Sequence, residues 1–262
     1  MDAIGARTAV VCFSLTVIAL LLFATPGEAE IDPNSIVGLW LFDEGKGNET
    51  EDSSGNRYHG DIEGDPKWVD GQFGKALEFK GVEYIEIQNS APNLSFGGIQ
   101  PFTIAAWVKH QGGGYVVSKF NRNIIGEYIF SIGGGGTVGF HREVDPWGLS
   151  GTKALPFGDF GHAAVTYDGS EMKIYVNGEL DVTQKRPAQN TDTVTPVLIG
   201  GRLINGNPDP DSRFRGVLDE VVIFNVALTE EQIQEVMKGL SLEKAVSVSG
   251  KLASTWGGIK VE

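Results

Sequence analysis

From Ile36 onward, short apolar runs recur along the chain and each is ended by a turn. Val37-Gly38-Leu39-Trp40-Leu41-Phe42 is apolar on both faces, which predicts a central strand, and Asp43-Glu44-Gly45 ends it. Ala76-Leu77-Glu78-Phe79 and Tyr84-Ile85-Glu86-Ile87 alternate strictly. That period of two predicts strands with Leu77, Phe79, Ile85 and Ile87 inward and both glutamates in water. Further strands are predicted at 102–109, 115–119, 127–132 and 137–142. A hairpin follows, with strands at 163–167 and 172–176, and Asn177-Gly178 signals the next tight turn. Runs at 197–200 and 217–226 complete the set.

Only one helix is well signalled. Thr229 is a good N-cap, and Gln232 three residues later completes a capping box. Leu228 and Ile233 can staple the first turn, and Gly239 can end the helix. Many strands without crossover helices predict an all-β fold, two packed antiparallel sheets closed by one short C-terminal helix.

The first residues stand apart. Arg7 precedes an apolar run from Thr8 to Ala24, followed by Gly27-Glu28-Ala29. Residues 1–29 therefore read as a signal peptide cleaved after Ala29. The alternative is an uncleaved N-terminal membrane anchor; the mature chain itself has no membrane span. The expected product is secreted or displayed at the cell surface. Its domain covers 32–238, and 239–262, rich in Ser, Lys, Gly and Ala with a late Trp256, reads as a tail.

Composition trims the possible functions. Cys12, inside the apolar run, is the only cysteine, so the mature chain has no disulfide, thiolate nucleophile or cysteine-based zinc site. The 34 acidic residues against 21 basic ones, a net charge of −13, argue against nucleic acid, whose phosphates need Lys and Arg. The same excess leaves carboxylates available for a cation.

Several segments resemble laminin-G-like jelly-roll domains of the concanavalin A-like lectin/glucanase superfamily. They are Gly38-Leu39-Trp40-Leu41-Phe42-Asp43-Glu44, Asp52-Ser53-Ser54-Gly55, Leu77-Glu78-Phe79-Lys80-Gly81, Phe102-Thr103-Ile104-Ala105-Ala106-Trp107-Val108, His162 through Asn177-Gly178, and Leu218-Asp219-Glu220-Val221. The resemblance spans roughly 32–238 and implies a jelly-roll sandwich. That architecture hosts lectins, adhesion modules and some hydrolases, so function must come from the site.

The glucanase branch uses a Glu-x-Asp-x-x-Glu strand, and Glu179-Leu180-Asp181-Val182-Thr183-Gln184 is the nearest match. Gln184 stands where the second acid belongs and cannot protonate a leaving group. Gly-x-Ser-x-Gly, His-Glu-x-x-His and phosphate-loop patterns are absent. His59, His110, His141 and His162 are scattered without ligand spacing. The reading is therefore non-catalytic.

Asp219 and Glu220 adjoin in an apolar strand, so at least one must be buried and needs a partner. That partner is an arginine (Arg202, Arg213 and Arg215 lie near in sequence), the backbone, or calcium, which takes hard oxygen ligands. In folds resembling this one the first and last strands pair, which would bring Asp43 to Asp219 as ligands of a structural Ca2+. Asn205-Gly206-Asn207-Pro208-Asp209-Pro210-Asp211 suggests a calcium loop only superficially, because Pro210 replaces the needed glycine. Trp147, with His141 and Arg142 on the preceding strand, is the candidate sugar platform. Trp40 and Trp107, inside strands, are expected in the core. The sequence thus points to a carbohydrate- or cell-surface-glycan-binding module. The alternatives are an adhesion protein binding another protein, and a divergent glycoside hydrolase.

Overall fold

The computed structural model describes residues 30–189 and 191–240. The signal peptide, its cleavage site and the tail with Trp256 lie outside the described residues. The strands are β1 (Ile36–Trp40), β2 (Glu49–Thr50), β3 (Gly60–Glu63), β4 (Lys67–Asp70), β5 (Lys75–Lys80), β6 (Tyr84–Ile87), β7 (Phe102–Arg122), β8 (Ile125–Ile132) and β9 (Thr137–Arg142). They continue as β10 (Gly148–Ala154), β11 (Gly161–Tyr167), β12 (Glu171–Val176), β13 (Glu179–Lys185), β14 (Val197–Ile199), β15 (Leu203–Ile204), β16 (Asn207–Pro208) and β17 (Arg215–Phe224). The helices are α1 (Ser90–Asn93) and α2 (Glu230–Val236).

The first sheet runs β4–β5–β17–β7–β11–β12–β13, with β1 beside the second half of β17. The second runs β2–β3–β6–β14–β7–β8–β9–β10. These pairings are antiparallel; β15, which lies parallel to the end of β7, is the exception. The two segments expected at 102–109 and 115–119 are thus one strand. At Gly112-Gly113-Gly114, all at positive φ, β7 passes from one sheet to the other. A side chain at Gly113 or Gly114 would meet backbone of 132–133 or 213–214, so glycine is required at this bend.

The main core fills the space between the sheets. Trp40, Leu77, Phe79, Ile85, Ile87, Phe102, Ile104, Phe130, Phe140, Val165, Leu218 and Ile223 all lie in it. The inward alternation expected of Leu77, Phe79, Ile85 and Ile87 is observed, with Glu86 outside. A smaller core lies on the outer face of the first sheet, where Leu228, Ile233 and Val236 of the α2 region cover Leu39, Ala105, Ala164, Val222 and Phe224. Thr229 and Gln232 form the capping box, and Gly239 at φ 86° follows the helix. Leu228 and Ile233 are both buried, as a hydrophobic staple requires.

Trp107 departs from expectation. It is half-buried on the outer face of the first sheet, edge-on to Phe73 and to His162, and not between the sheets. β10 was not legible because six of its seven residues, all but Leu149, are polar or small and the strand is mostly exposed, with no apolar alternation to mark it.

Candidate functional site

On β9, Val138, Phe140 and Arg142 point into the sandwich, whereas Thr137, Gly139 and His141 point out. The 143–147 connection then lifts Trp147 over this outer face, where it is 52% exposed. The His141 and Trp147 rings are 12° from parallel with centroids 6.4 Å apart. His141 also meets the Phe120 ring edge-on at 5.2 Å and bonds Glu143 Oε2 through Nε2 at 2.9 Å. Gly126, opposite Phe120 on β8, makes that meeting possible, since a Cβ there would run into the phenyl ring.

Arg202 extends the row. The chain after β14 crosses back over β7, pinned where Ser118 Oγ donates to Gly201 O at 2.7 Å. This sets the Arg202 guanidinium 4.8 Å from the Tyr115 ring and 5.8 Å from that of Phe120. Its Nε donates to Asp209 Oδ2 at 2.8 Å. The outer face of the second sheet therefore carries a continuous row: Trp147, His141, Phe120, Arg202 and Tyr115.

Arg142 does not belong to it. It is fully buried, stacked between Tyr167 (4.3 Å) and Phe102 (5.1 Å), and donates through Nη2 to Phe96 O at 3.2 Å. The expectation that Arg142 contacts ligand beside Trp147 is corrected: its position in the pleat turns it into the interior. Burial lowers its pKa to about 10, so it stays charged at neutral pH. It shares that end of the sandwich with buried Lys119, Glu127 and Asp192. Lys119 Nζ donates to Ala91 O at 2.5 Å and to Thr195 O, while Glu127 accepts from Ser95 Oγ (2.5 Å), Phe96 N (2.8 Å) and Asp192 N (2.5 Å). These bonds tie the 89–100 and 187–196 connections to β7 and β8.

A second polar site lies on the outer face of the first sheet. β1 and β17 pair, Trp40 opposite Val221, as the resemblance implied. Asp219 is fully buried and Glu220 nearly so, both rather than one, because β17 bulges between Asp219 and Val222 with Glu220 at φ 50°. Asp219 Oδ2 accepts from Phe73 N at 3.0 Å, while its Oδ1 has no partner. Asp43 Oδ1 accepts from Lys75 N at 2.7 Å, so the 71–75 turn holds both carboxylates. A Cβ on Gly71 would crowd Asp219 Oδ2, and one on Gly74 would crowd Asp43 Oδ1. Burial, opposed by backbone hydrogen bonds and reinforced by Asp43, pushes the Asp219 carboxyl up to about 6. The arginine alternative finds no support. Arg202 pairs with Asp209, Arg213 lies over Tyr84, and Arg215 sits against Gly81. Two hard-oxygen carboxylates, one with an orphaned buried oxygen, are of the donor type calcium takes, and backbone carbonyls or water would have to complete its shell. Among the described residues, no group of three or more His, Cys, Asp or Glu could hold a metal.

The carboxylates of the other motifs are engaged by neighbouring groups. Asp209 uses both oxygens, for Asp211 N (3.0 Å) and Arg202 Nε, so the 205–211 loop is an acidic turn. Asp181 accepts from Thr152 N (2.7 Å), Thr152 Oγ1 (2.5 Å) and Lys153 N (3.1 Å), and Glu179 pairs with Lys153 at 2.8 Å.

With this geometry in hand, comparison with known proteins places the chain. Residues 80–234 match a laminin-G family model, that of the concanavalin A-like lectin/glucanases superfamily. The chain belongs to that superfamily. Comparison with curated proteins gives no significant match. Among solved structures it is similar to domain 4 of AbnA, a GH43 extracellular arabinanase from Geobacillus stearothermophilus, in complex with arabinotriose. That match has 22% identity, TM-score 0.59, and covers 77% of this chain and 98% of that domain. It is also similar to the binding domain of Paraclostridial Mosquitocidal Protein 1, at 17% identity and TM-score 0.58, over 79% of this chain and 52% of the other. A structure of botulinum neurotoxin type C, whose cell entry depends on interaction with two ganglioside molecules, matches at 17% identity and TM-score 0.56, over 80% of this chain and 52% of the other. At these identities the likeness is one of fold. No described helix is long and apolar enough to cross a membrane.

Proposed function

We propose that this chain is a secreted, non-catalytic glycan-binding module, with the Trp147–His141 row as its binding face and a structural calcium between Asp43 and Asp219. The observation that carries the reading is the exposed indole of Trp147, held nearly parallel to His141 on a sheet face that supplies planar polar groups beside it. An exposed, immobilised indole costs little entropy on binding and presents an apolar face that a sugar ring can cover. Arabinotriose bound to the AbnA domain and the gangliosides on which the neurotoxin's cell entry depends add support from the same fold.

The non-catalytic part rests on Glu179 and Asp181. Each is bound by groups on or beside β10, and Gln184 supplies no acid. Calcium would neutralise the Asp43–Asp219 pair and satisfy the orphaned oxygen; these two residues, with the 71–75 turn, would hold it. A glycan array probed with wild type and Trp147→Ala, in calcium and in chelator, tests the reading. Binding lost in Trp147→Ala supports it, and equal binding by both proteins removes the platform. Turnover of aryl glycosides abolished by Glu179→Gln would restore a hydrolase.

A further inference from the structure

The charges around the row narrow its ligand. Arg202, the planar donor at one end, is already matched by Asp209, whose side chain is 4% exposed against 12% for Arg202. His141 at the centre is hydrogen-bonded to Glu143. The loop that carries Trp147 adds Asp145, and the same sheet face carries Asp61, Glu63 and Glu86 further along, where the Glu86 carboxyl is raised by burial and by the other two. Among the described residues, Arg122, exposed at the β7–β8 turn, and Arg186, buried where it donates to Gly148 O and lies in the field of Asp145, form no salt bridge. The whole chain carries −13. A polyanion approaching Trp147 would meet an Arg202 already neutralised by Asp209 and a surplus of carboxylates, and would be repelled.

The row is also longer than one sugar. Trp147 to His141 is 6.4 Å, His141 to Phe120 is 5.2 Å, and Phe120 to the Arg202 guanidinium is 5.8 Å. Its floor is Phe120, 8% exposed, so contact comes from the open Trp147 face at one end and the guanidinium edge at the other. A monosaccharide reaches one of these; a chain laid across β9, β8 and β7 reaches both.

Resting on the glycan reading above, we propose that the site selects a neutral, unbranched glycan chain, stacking one unit on Trp147 while Arg202 donates to hydroxyls of a later unit. The guanidinium acts here as a hydrogen-bond fork, its charge balanced by Asp209.

The test is an array of neutral, uronate-containing, sialylated and sulfated glycans, followed by calorimetric titration at near-physiological salt. For titration, neutral hits are taken as a series from mono- to tetrasaccharide, with heparin and oligogalacturonate fragments as acidic probes. Trp147-dependent binding of neutral chains is expected, with affinity rising about tenfold or more from mono- to tetrasaccharide. The double variant Arg202→Met with Asp209→Asn, which removes the ion pair without stranding a buried charge, should weaken the tetrasaccharide and leave the monosaccharide unchanged. Acidic glycans binding more tightly through Trp147, or a monosaccharide binding as tightly as its tetrasaccharide, overturns this inference alone. No Trp147-dependent binding to any glycan overturns the glycan reading itself.

Discussion

The His141 imidazole lies nearly parallel to the Trp147 indole, 12° between planes, while its edge contacts Phe120 and its Nε2 bonds Glu143. One outward strand position thus links the loop that presents Trp147 to the sheet beneath. Replacing Trp147 by alanine removes a half-exposed indole and its stacking on His141, but no core packing. Its unfolding free energy should stay within about 1.5 kcal/mol of wild type, the worth of one ring pair. Denaturant melts check this, and a loss of several kcal/mol would mean that Trp147 is a packing residue.

Arg142 should behave oppositely. Truncation to alanine empties the space between Tyr167 and Phe102 and leaves Glu127 with less compensation. Breaking a buried charged cluster costs about 3–5 kcal/mol. At roughly 2–4 °C per kcal/mol for a domain of this size, the melting point should drop by about 10 °C. Glycan affinity per folded molecule should hold. A variant that melts like wild type but no longer binds would put Arg142 back at the ligand.

Asp219 predicts a calcium-dependent pH profile. Without calcium, the folded state holds its proton up to about pH 6 and the unfolded state only to about 3.8. Unfolding then releases a proton between these values, so stability falls as pH rises through the window, by about 3 kcal/mol in all. Calcium at the proposed site would bind the ionised form and oppose that loss, adding about 2.7 kcal/mol at a hundred times its dissociation constant. Melts in chelator and in calcium should therefore diverge as pH rises from 4 to 7, and Asp219→Asn should make them coincide. Superimposed wild-type curves at pH 7 would dismiss the ion.

His162 pulls the other way. Fully buried against Trp107, it is pushed down to about 3 from an ordinary value of 6.5. The unfolded chain takes up this proton first, so stability is lost as pH falls from about 6.5 towards 3. His162→Gln should shift acid unfolding to lower pH, followed by circular dichroism. An unchanged or higher midpoint would rule out His162 as the titrating group.

The strands with clean alternation, 76–79 and 84–87, were legible because burial on one face leaves a period of two. The α2 start was legible because capping chemistry is local. Trp147 stood out through its polar surroundings, and Asp219 through the cost of a charge in an apolar strand. Phe120 and Arg202 were not legible. Phe120 lies in an ordinary apolar run, and Arg202 reaches it only because the chain after β14 crosses over β7, a relation between distant segments. Arg142 misled because neighbouring strand residues alternate faces: with His141 outward, the guanidinium had to enter the interior.

The pairing of β1 with β17 joins Ile36 to Phe224, nearly the two ends of the described chain. Closing so long a loop costs entropy before any contact repays it, and topologies dominated by such pairings fold slowly. A chain emerging N-terminus first therefore leaves β1 without its partner until β17 follows, and the 71–75 turn cannot bring Asp43 to Asp219 before then. The last strand to arrive sets the moment at which both the first sheet and the carboxylate pair are completed.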